Sequence, residues 1–255
     1  MGPHFWLLKP ALTFTTFWLI AMLSIGQDGR VSPDKKPYVR TGNEVTLSGT
    51  IKLTGKPTKP RRIDMSTDLV CYQVNPDPKT EYIVGNKGKL ANVFVYVESV
   101  ALDSYTFDQP GSPAVLEHKG CRYMPHVLGM RVGQPLTIVN GDPTYHNTHP
   151  VPNSNPEWNQ SQSPGSPPLK KIFDRPDFIP FKDNQHPWEE AYVGVFAHPF
   201  FAISDESGNY RIKGLPPGRY TVVVHHETLG EQTVDITLVS GEARDLSFSF
   251  DAKDH

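Results

Sequence analysis

This chain of 255 residues has few cysteines, little net charge and, beyond residue 27, no sustained helical period. Its 25 lysines and arginines nearly balance 27 aspartates and glutamates, for a formal net charge of −2, which argues against a nucleic-acid partner. The sequence has no Ser/His/Asp order typical of hydrolases, no glycine-rich phosphate loop and no His-Glu-x-x-His stretch. Hydrolytic and nucleotide-dependent catalysis are therefore unsupported, and we expect a protein that is not an enzyme.

The most apolar run lies near the N-terminus, where Lys9 precedes residues 11–25. Small residues at Ser24-Ile-Gly26 have the spacing that a signal peptidase needs, so residues 1–26 are predicted to be a signal peptide and the mature chain to begin near Gln27. The run is shorter than the roughly 20 apolar residues of a spanning helix, and an uncleaved membrane anchor is the alternative. We expect a periplasmic or secreted protein that meets the membrane only if this segment is retained.

The two cysteines, Cys71 and Cys121, fit an exported protein with one structural disulfide. A bond between them would close a loop of about 50 residues and stabilise the fold by roughly 4 kcal/mol in the chain-entropy model. The alternative is that Cys121 is a metal ligand. The sequence by itself leaves both interpretations open.

Short alternating segments dominate the rest of the chain. The segments 45–53, 93–97 and 220–224 show the alternation and the β-branched and aromatic residues that are typical of strands. The chain's 25 prolines and 20 glycines punctuate these segments. The pattern predicts an all-β protein of antiparallel sandwiches whose loops carry the function. Residues 150–168, rich in Pro, Asn, Ser and Gln, are predicted to form a long loop without a strand.

Two histidines occupy positions that suit metal ligands. His146 follows the predicted strand 136–140 in an Asp-Pro turn, where a rigid sheet would hold it. His186 is followed by Pro187 and Trp188, a stiff apolar pair that would shield a metal from water. The alternatives are a plain loop histidine at the first position and a packed turn at the second.

Acidic residues flank His186 at a regular spacing. Asp183 lies three residues before it and Glu189 three residues after it. Such carboxylates are usually solvated, and this register alone makes them candidate ligands. His149 follows His146 closely and is a candidate third imidazole. Imidazole and carboxylate ligands suit Cu(II), Zn(II) or another borderline divalent ion better than a copper that shuttles electrons.

Six short stretches between residues 120 and 218 match the sequence pattern of one protein family. They are Gly120–His126, Val132–Leu136, Asn140–His149, His186–Trp188, His198–Phe200 and Gly214–Gly218. In these stretches the chain resembles the secreted bacterial cupredoxin-like, or plastocyanin-like, proteins that also carry a carboxypeptidase regulatory-like domain. The resemblance implies a cupredoxin-like Greek-key sandwich and a small transthyretin-like or carboxypeptidase-regulatory-like β-sandwich.

The resemblance also implies a degenerate copper site. In the relatives a short loop reads Cys-x-x-His-x-x-Met and binds copper together with an earlier histidine. Here His146 and His186 are present, but Asp183 and Glu189 stand where the relatives have Cys and Met. Oxygen donors do not provide the thiolate bonding of a blue-copper centre, so we expect a site that no longer transfers electrons.

The second module is indicated by residues 201–220, where an Asp-x-x-Gly turn and a Gly-Leu-Pro-Pro-Gly turn bracket one strand, as in the regulatory-like domains. Such a domain normally opens with a strand like 49–57, far earlier in this chain. One division is therefore a signal peptide at 1–26, an N-terminal β region at 27–113 that contains the first strands of this sandwich, a cupredoxin-like module at 114–197 and the regulatory-like sandwich at 198–255. The alternative is a cupredoxin over 88–204 after an N-terminal extension.

Together these features predict an exported binding protein. The expected ligand is a divalent metal, copper or zinc, or a partner at the cell envelope, either a protein or a glycan. Two alternatives remain: a working copper electron-transfer protein that tolerates the substitutions, and a structural or glycan-associated β-sandwich without a metal.

Overall fold

The structure is a computed structural model that describes residues 1–2, 35–57, 59–81 and 85–252. The predicted signal peptide and cleavage site, apart from the first two residues, lie outside the described residues. All the described secondary structure belongs to one compact unit, Asp34–His255. No helix in the described part of the chain has the length and apolarity needed to cross a membrane.

The all-β prediction is confirmed, with one short α-helix and one 3₁₀ helix among the strands of the described residues. The helix α1 spans Leu69–Val74 and the 3₁₀ helix spans Val100–Ser104. The strands are β1 Lys36–Pro37, β2 Val45–Thr54, β3 Gly85–Asn86, β4 Lys89–Leu90, β5 Phe94–Glu98, β6 Tyr105–Thr106, β7 Ala114–His118, β8 Tyr123–Met124, β9 Val127–Arg131, β10 Leu136–Asn140, β11 His146–Pro150, β12 Gln160–Gln162, β13 Leu169–Lys171, β14 Asp177–Lys182, β15 Glu190–Phe196, β16 Phe201–Ile203, β17 Asn209–Leu215, β18 Gly218–His226, β19 Gly230–Leu238, β20 Ala243–Asp245 and β21 Phe248–Asp251.

The first sandwich combines strands from the two ends of the described chain. One sheet has the order β16-β5-β18-β19 and the other β17-β2-β4-β3, with β20 and β21 also paired to β2. Along β2 the buried residues alternate with more exposed ones, so Val45, Leu47 and Ile51 face the core. The Asp-x-x-Gly turn forms as the sequence predicts: Asp205 accepts hydrogen bonds from following amides, and Gly208 has a φ of +72° that favours glycine.

The second sandwich is built from β7 to β15. Its sheets have the orders β13-β10-β7-β8 and β12-β11-β14-β15-β9. They enclose a core of their own that includes Leu116, Ile138, Phe181 and Val193. Strand β5 pairs with β16 and β18, so it belongs to the first sandwich. The alternative division, a cupredoxin over 88–204, would place β5 in the second sandwich. The division that sets 114–197 between the two parts of a discontinuous sandwich stays a prediction.

Two local predictions differ from the structure. The polar stretch 150–168 contains β12, which pairs with β11, and the Nε2 of the buried Gln162 side chain donates to the Ile138 carbonyl. The helix α1 was not predicted, since its six residues are too few to show a helical period. It is capped by Asp68, whose side chain accepts hydrogen bonds from the Val70 and Cys71 amides.

Cys71 in α1 and Cys121 in the loop after β7 form a disulfide, with both residues fully buried. The bond closes a segment with a sequence separation of 50 residues. We expect the double variant Cys71→Ser, Cys121→Ser to lower the free energy of unfolding by about 4 kcal/mol, because its unfolded chain gains loop entropy. Urea denaturation of both proteins measures this difference. An unchanged midpoint at an unchanged slope would contradict the expectation.

Candidate metal centre

Neighbouring strands bring the predicted ligands together. His146 begins β11, and the loop between β14 and β15 consists of residues 183–189. Strand β11 pairs with β14, and β14 pairs with β15, so this loop lies beside the start of β11. The loop is closed by hydrogen bonds from the Asp183 amide to the Glu189 carbonyl and from the Glu189 amide to the His186 carbonyl. Rigid sheet therefore fixes both segments.

Four donor atoms converge in this place. His146 Nδ1 lies 3.0 Å from Asp183 Oδ2 and 3.0 Å from Glu189 Oε2. His186 Nδ1 lies 3.1 Å from His146 Nδ1, 3.1 Å from Asp183 Oδ2 and 4.0 Å from Glu189 Oε2. All four side chains are at least 96% buried. We call these four residues the ligand cluster.

The outer nitrogen of each imidazole contacts a carboxylate. His146 Nε2 lies 3.1 Å from Asp142 Oδ2, and His186 Nε2 lies 3.2 Å from Asp68 Oδ2. Neither aspartate was predicted as part of the site. Asp142 lies in the Asp-Pro turn before His146, so the turn itself was a signal, whereas Asp68 comes from a segment distant in sequence.

His118 is a third buried imidazole at the cluster, and the sequence analysis missed it. Its Nδ1 lies 2.7 Å from Glu189 Oε1, its Nε2 lies 3.0 Å from Thr148 Oγ1, and its ring stacks on that of His146 with centroids 4.4 Å apart. It ends β7, which pairs in parallel with β10, so that His118 is opposite Asn140. A histidine at a strand end is the one signal that the sequence offered.

His149 lies away from the ligand cluster. In β11 it is separated from His146 by three residues, and an odd separation along a strand places side chains on opposite faces. Its Nε2 contacts Glu157 Oε1 at 2.7 Å and its Nδ1 contacts Asn184 Oδ1 at 3.2 Å. The sheet geometry thus separates the fifth predicted ligand from the other four.

The electrostatics of the cluster favour a bound cation. Burial lowers the pKa of His146, but hydrogen bonds with Asp142, Asp183 and Glu189 outweigh this effect and raise the pKa to about 11. Burial raises the pKa of Asp183, but hydrogen bonds from His146 and His186 outweigh it and hold the pKa well below its ordinary value. The carboxylates thus stabilise positive charge in the cluster, which either protons on the imidazoles or a metal ion can supply.

A divalent ion fits this donor set. Glu189 Oε2 is buried, and its 3.0 Å contact with His146 Nδ1 is poorly aligned for a hydrogen bond, so a metal ion would be a better partner for it. Bond lengths of 2.0–2.1 Å in a tetrahedral site set neighbouring donors about 3.4 Å apart, close to the separations of 3.0–4.0 Å seen here. Cys71 and Cys121 are disulfide-bonded, so neither offers a thiolate. Two nitrogens and two oxygens suit Cu(II) or Zn(II).

Three solved structures illustrate the likeness to copper proteins. The copper-containing nitrite reductase of Thermus scotoductus is 18% identical, with 34% of this chain and 23% of that one covered and a TM-score of 0.31. A purple cupredoxin from Nitrosopumilus maritimus is 20% identical over 32% of this chain and 99% of its own, with a TM-score of 0.29. The plastocyanin of Dryopteris crassirhizoma is 16% identical over 32% and 100%, with a TM-score of 0.28. At TM-scores below 0.5 the likeness is weak, and the site is interpreted from its own geometry.

The sequence comparisons concern the C-terminal part of the chain. No curated protein matches the chain as a whole significantly. One segment, residues 182–251, matches a family model. It begins at the end of β14, before the predicted boundary at 198, and ends with β21. Residues 182–251 match the family of the carboxypeptidase regulatory-like domain.

Proposed function

We propose that this chain is a binding protein for one divalent metal ion, Cu(II) or Zn(II), and that the ligand cluster holds it. The observation that carries the proposal is the buried convergence of two imidazole nitrogens with two carboxylate oxygens, one of which, Glu189 Oε2, has only a poorly aligned contact with His146 Nδ1. Burying such a carboxylate oxygen is costly unless a cation or donor satisfies it. A metal ion removes this cost and replaces the protons that the imidazoles otherwise carry.

Each residue of the cluster has a distinct part in this proposal. His146 and His186 supply nitrogen ligands through Nδ1. Asp183 supplies Oδ2, while its Oδ1 is held by the amides of Gln185 and His186. Glu189 supplies Oε2, while its Oε1 contacts His118. When bound, the ion neutralises the two carboxylates and joins β11 to the loop between β14 and β15.

The donor set favours binding over electron transfer. Blue-copper centres depend on a cysteine thiolate and a weak axial sulfur ligand. The described residues around the cluster offer no thiolate, since both cysteines are in the disulfide. We further propose a location in the periplasm or outside the cell, because structural disulfides persist in oxidising compartments.

Isothermal titration of the metal-free protein with Cu(II) and Zn(II) tests the proposal. We expect one ion per chain and a loss of affinity of about tenfold or more in His186→Ala, since even outer-shell substitutions cost that much. His149→Ala is the matched control, because this histidine lies in the same region but outside the cluster. Affinity in the control should be unchanged. A protein that binds neither ion would leave a metal-free structural sandwich as the better interpretation.

The absorption spectrum of the Cu(II)-loaded protein separates the proposal from a working electron carrier. Because no sulfur ligand reaches the ion, we expect only the weak visible absorption of a nitrogen and oxygen site. An intense visible band would contradict this expectation. It would require a thiolate ligand and therefore an opened disulfide, which counting of free thiols would detect.

A further inference from the structure

The two imidazoles of the ligand cluster are held in the same way from outside. Each turns its Nδ1 toward the other imidazole and its Nε2 toward a carboxylate. The outer contacts are His146 Nε2 with Asp142 Oδ2 at 3.1 Å and His186 Nε2 with Asp68 Oδ2 at 3.2 Å. A neutral imidazole has one N–H, and a carboxylate can only accept. In the metal-free cluster Asp183 Oδ2 also lies beside both Nδ1 atoms, so carboxylates attract protons to both nitrogens of each ring. When a metal ion takes Nδ1, the one remaining N–H is on Nε2 and donates to the outer carboxylate.

Both carboxylates are fixed by backbone amides. Asp142 accepts from the Gly120 amide at 2.7 Å and from the Cys121 amide at 2.8 Å. Asp68 accepts through Oδ1 from the amides of Val70 and Cys71, at 2.8 and 3.0 Å. Each carboxylate is thus bound to the backbone of one half of the disulfide, which joins the two anchoring segments.

A hydrogen bond from Thr144 orients the second carboxylate oxygen of Asp68, Oδ2, which does not cap the helix. Its Oδ2 accepts a hydrogen bond from Thr144 Oγ1 at 3.0 Å as well as facing His186. The side chain is about three-quarters buried, with 23% of its surface exposed. A residue that only capped the short helix α1 would use Oδ1 alone. The second oxygen is therefore available for His186.

We propose that Asp68 and Asp142 are positioning residues that set the tautomer and orientation of His186 and His146 for metal binding. This inference rests on the proposed metal function of the ligand cluster. Outer carboxylates on metal-binding histidines fix the ring and raise its basicity, and their loss commonly costs 10- to 100-fold in affinity. The helix α1, held by the disulfide, brings one of them from a segment distant in sequence.

The variant Asp68→Asn tests the inference cleanly. Asparagine is as good a helix cap as aspartate, so its oxygen can keep the contacts to the Val70 and Cys71 amides. Its amide NH₂ then faces His186 Nε2 and donates to it, which moves the imidazole proton to Nδ1 and blocks the lone pair. Asp142 is a less clean target, because both of its oxygens accept backbone hydrogen bonds.

We expect the Kd for Cu(II) to rise about 10- to 100-fold in Asp68→Asn, with the thermal midpoint of the metal-free protein retained. The electron paramagnetic resonance spectrum at saturating Cu(II) should also change, which a purely structural role would not produce. The matched control is Glu157→Gln, which removes the carboxylate from His149, a histidine outside the cluster. Its Kd and spectrum should equal those of the unaltered protein.

Two outcomes would overturn the inference in distinguishable ways. If the unaltered protein binds Cu(II) and Asp68→Asn binds it with the same Kd and spectrum, the positioning role is wrong while the metal site stands. If the unaltered protein binds neither Cu(II) nor Zn(II), the proposed function is wrong, and the positioning role is wrong with it.

Discussion

A chain that carries Asp183→Cys together with Glu189→Met is expected to become intensely coloured when loaded with Cu(II). The two substitutions restore the Cys-x-x-His-x-x-Met loop around His186, and with His146 they complete the two imidazoles, thiolate and weak axial thioether of a blue-copper centre. Asp183 Oδ2 lies 3.0 Å from His146 Nδ1 and 3.1 Å from His186 Nδ1, so a sulfur at residue 183 would lie close to both imidazoles. Absorption spectroscopy and voltammetry measure the new band and a reversible copper potential.

The matched control for this gain is Asp183→Ser together with Glu189→Met, which has the same shape without the thiolate and should stay colourless. Free thiols must be counted, because a new cysteine could exchange with the Cys71–Cys121 disulfide. The methionine also removes the acceptor of His118, so folding should be checked by circular dichroism. A folded variant with one free thiol and bound copper, yet no intense band, would show that the imidazoles do not converge on a metal.

The second large effect is on the pH dependence of the metal-free protein. The folded pKa of His146, about 11, lies above the ordinary value of 6.5, so its stabilisation is complete below pH 6.5 and is lost as pH rises through 11. The folded pKa of Asp183 lies below the ordinary 3.8, so its stabilisation is present above that pH and is lost as pH falls. The cluster therefore contributes most between pH 3.8 and 6.5.

Urea denaturation at a series of pH values, with a chelator present, checks this dependence. We expect the midpoint to fall steadily above pH 6.5. His149→Ala should keep most of this fall, and it loses only the smaller part due to the His149 pKa, which Glu157 raises. Saturation with Zn(II) should flatten the curve at neutral and mildly alkaline pH, because the ion replaces the protons that hold the carboxylates together. A midpoint of the metal-free protein that stays constant from pH 6.5 to 9 would contradict the charge balance derived for the cluster.

The sequence predicted the longer strands better than it predicted the short elements between them. Alternation identified β2 because it buries one face against a core, and burial on one face leaves a period of two. Strands β5 and β18 bury residues on both faces, and their runs of valine and aromatic residues identified them instead. Alternation could not reveal α1, which is too short to show a period, or β12, whose buried glutamine donates to a carbonyl of another strand. Such elements depend on partners that come from elsewhere in the chain.

The same distinction applies to the ligand cluster. Asp183, His186 and Glu189 were recognisable because they share one loop and a fixed spacing, and His146 because it ends a turn next to a strand. His118, by contrast, resembles an ordinary core histidine until β7 is paired with β10. His149 was included for its closeness to His146 in sequence, but the alternation of the strand turns it to the other face.

Anomalous diffraction from crystals of the mature protein soaked in Zn(II) tests the metal site most directly. The predicted result is one strong peak among His146 Nδ1, His186 Nδ1, Asp183 Oδ2 and Glu189 Oε2, at about 2.0–2.2 Å from each. The contradicting result is a cluster without a peak, in which the imidazoles and carboxylates contact only one another, or a peak at His149 with the cluster unchanged.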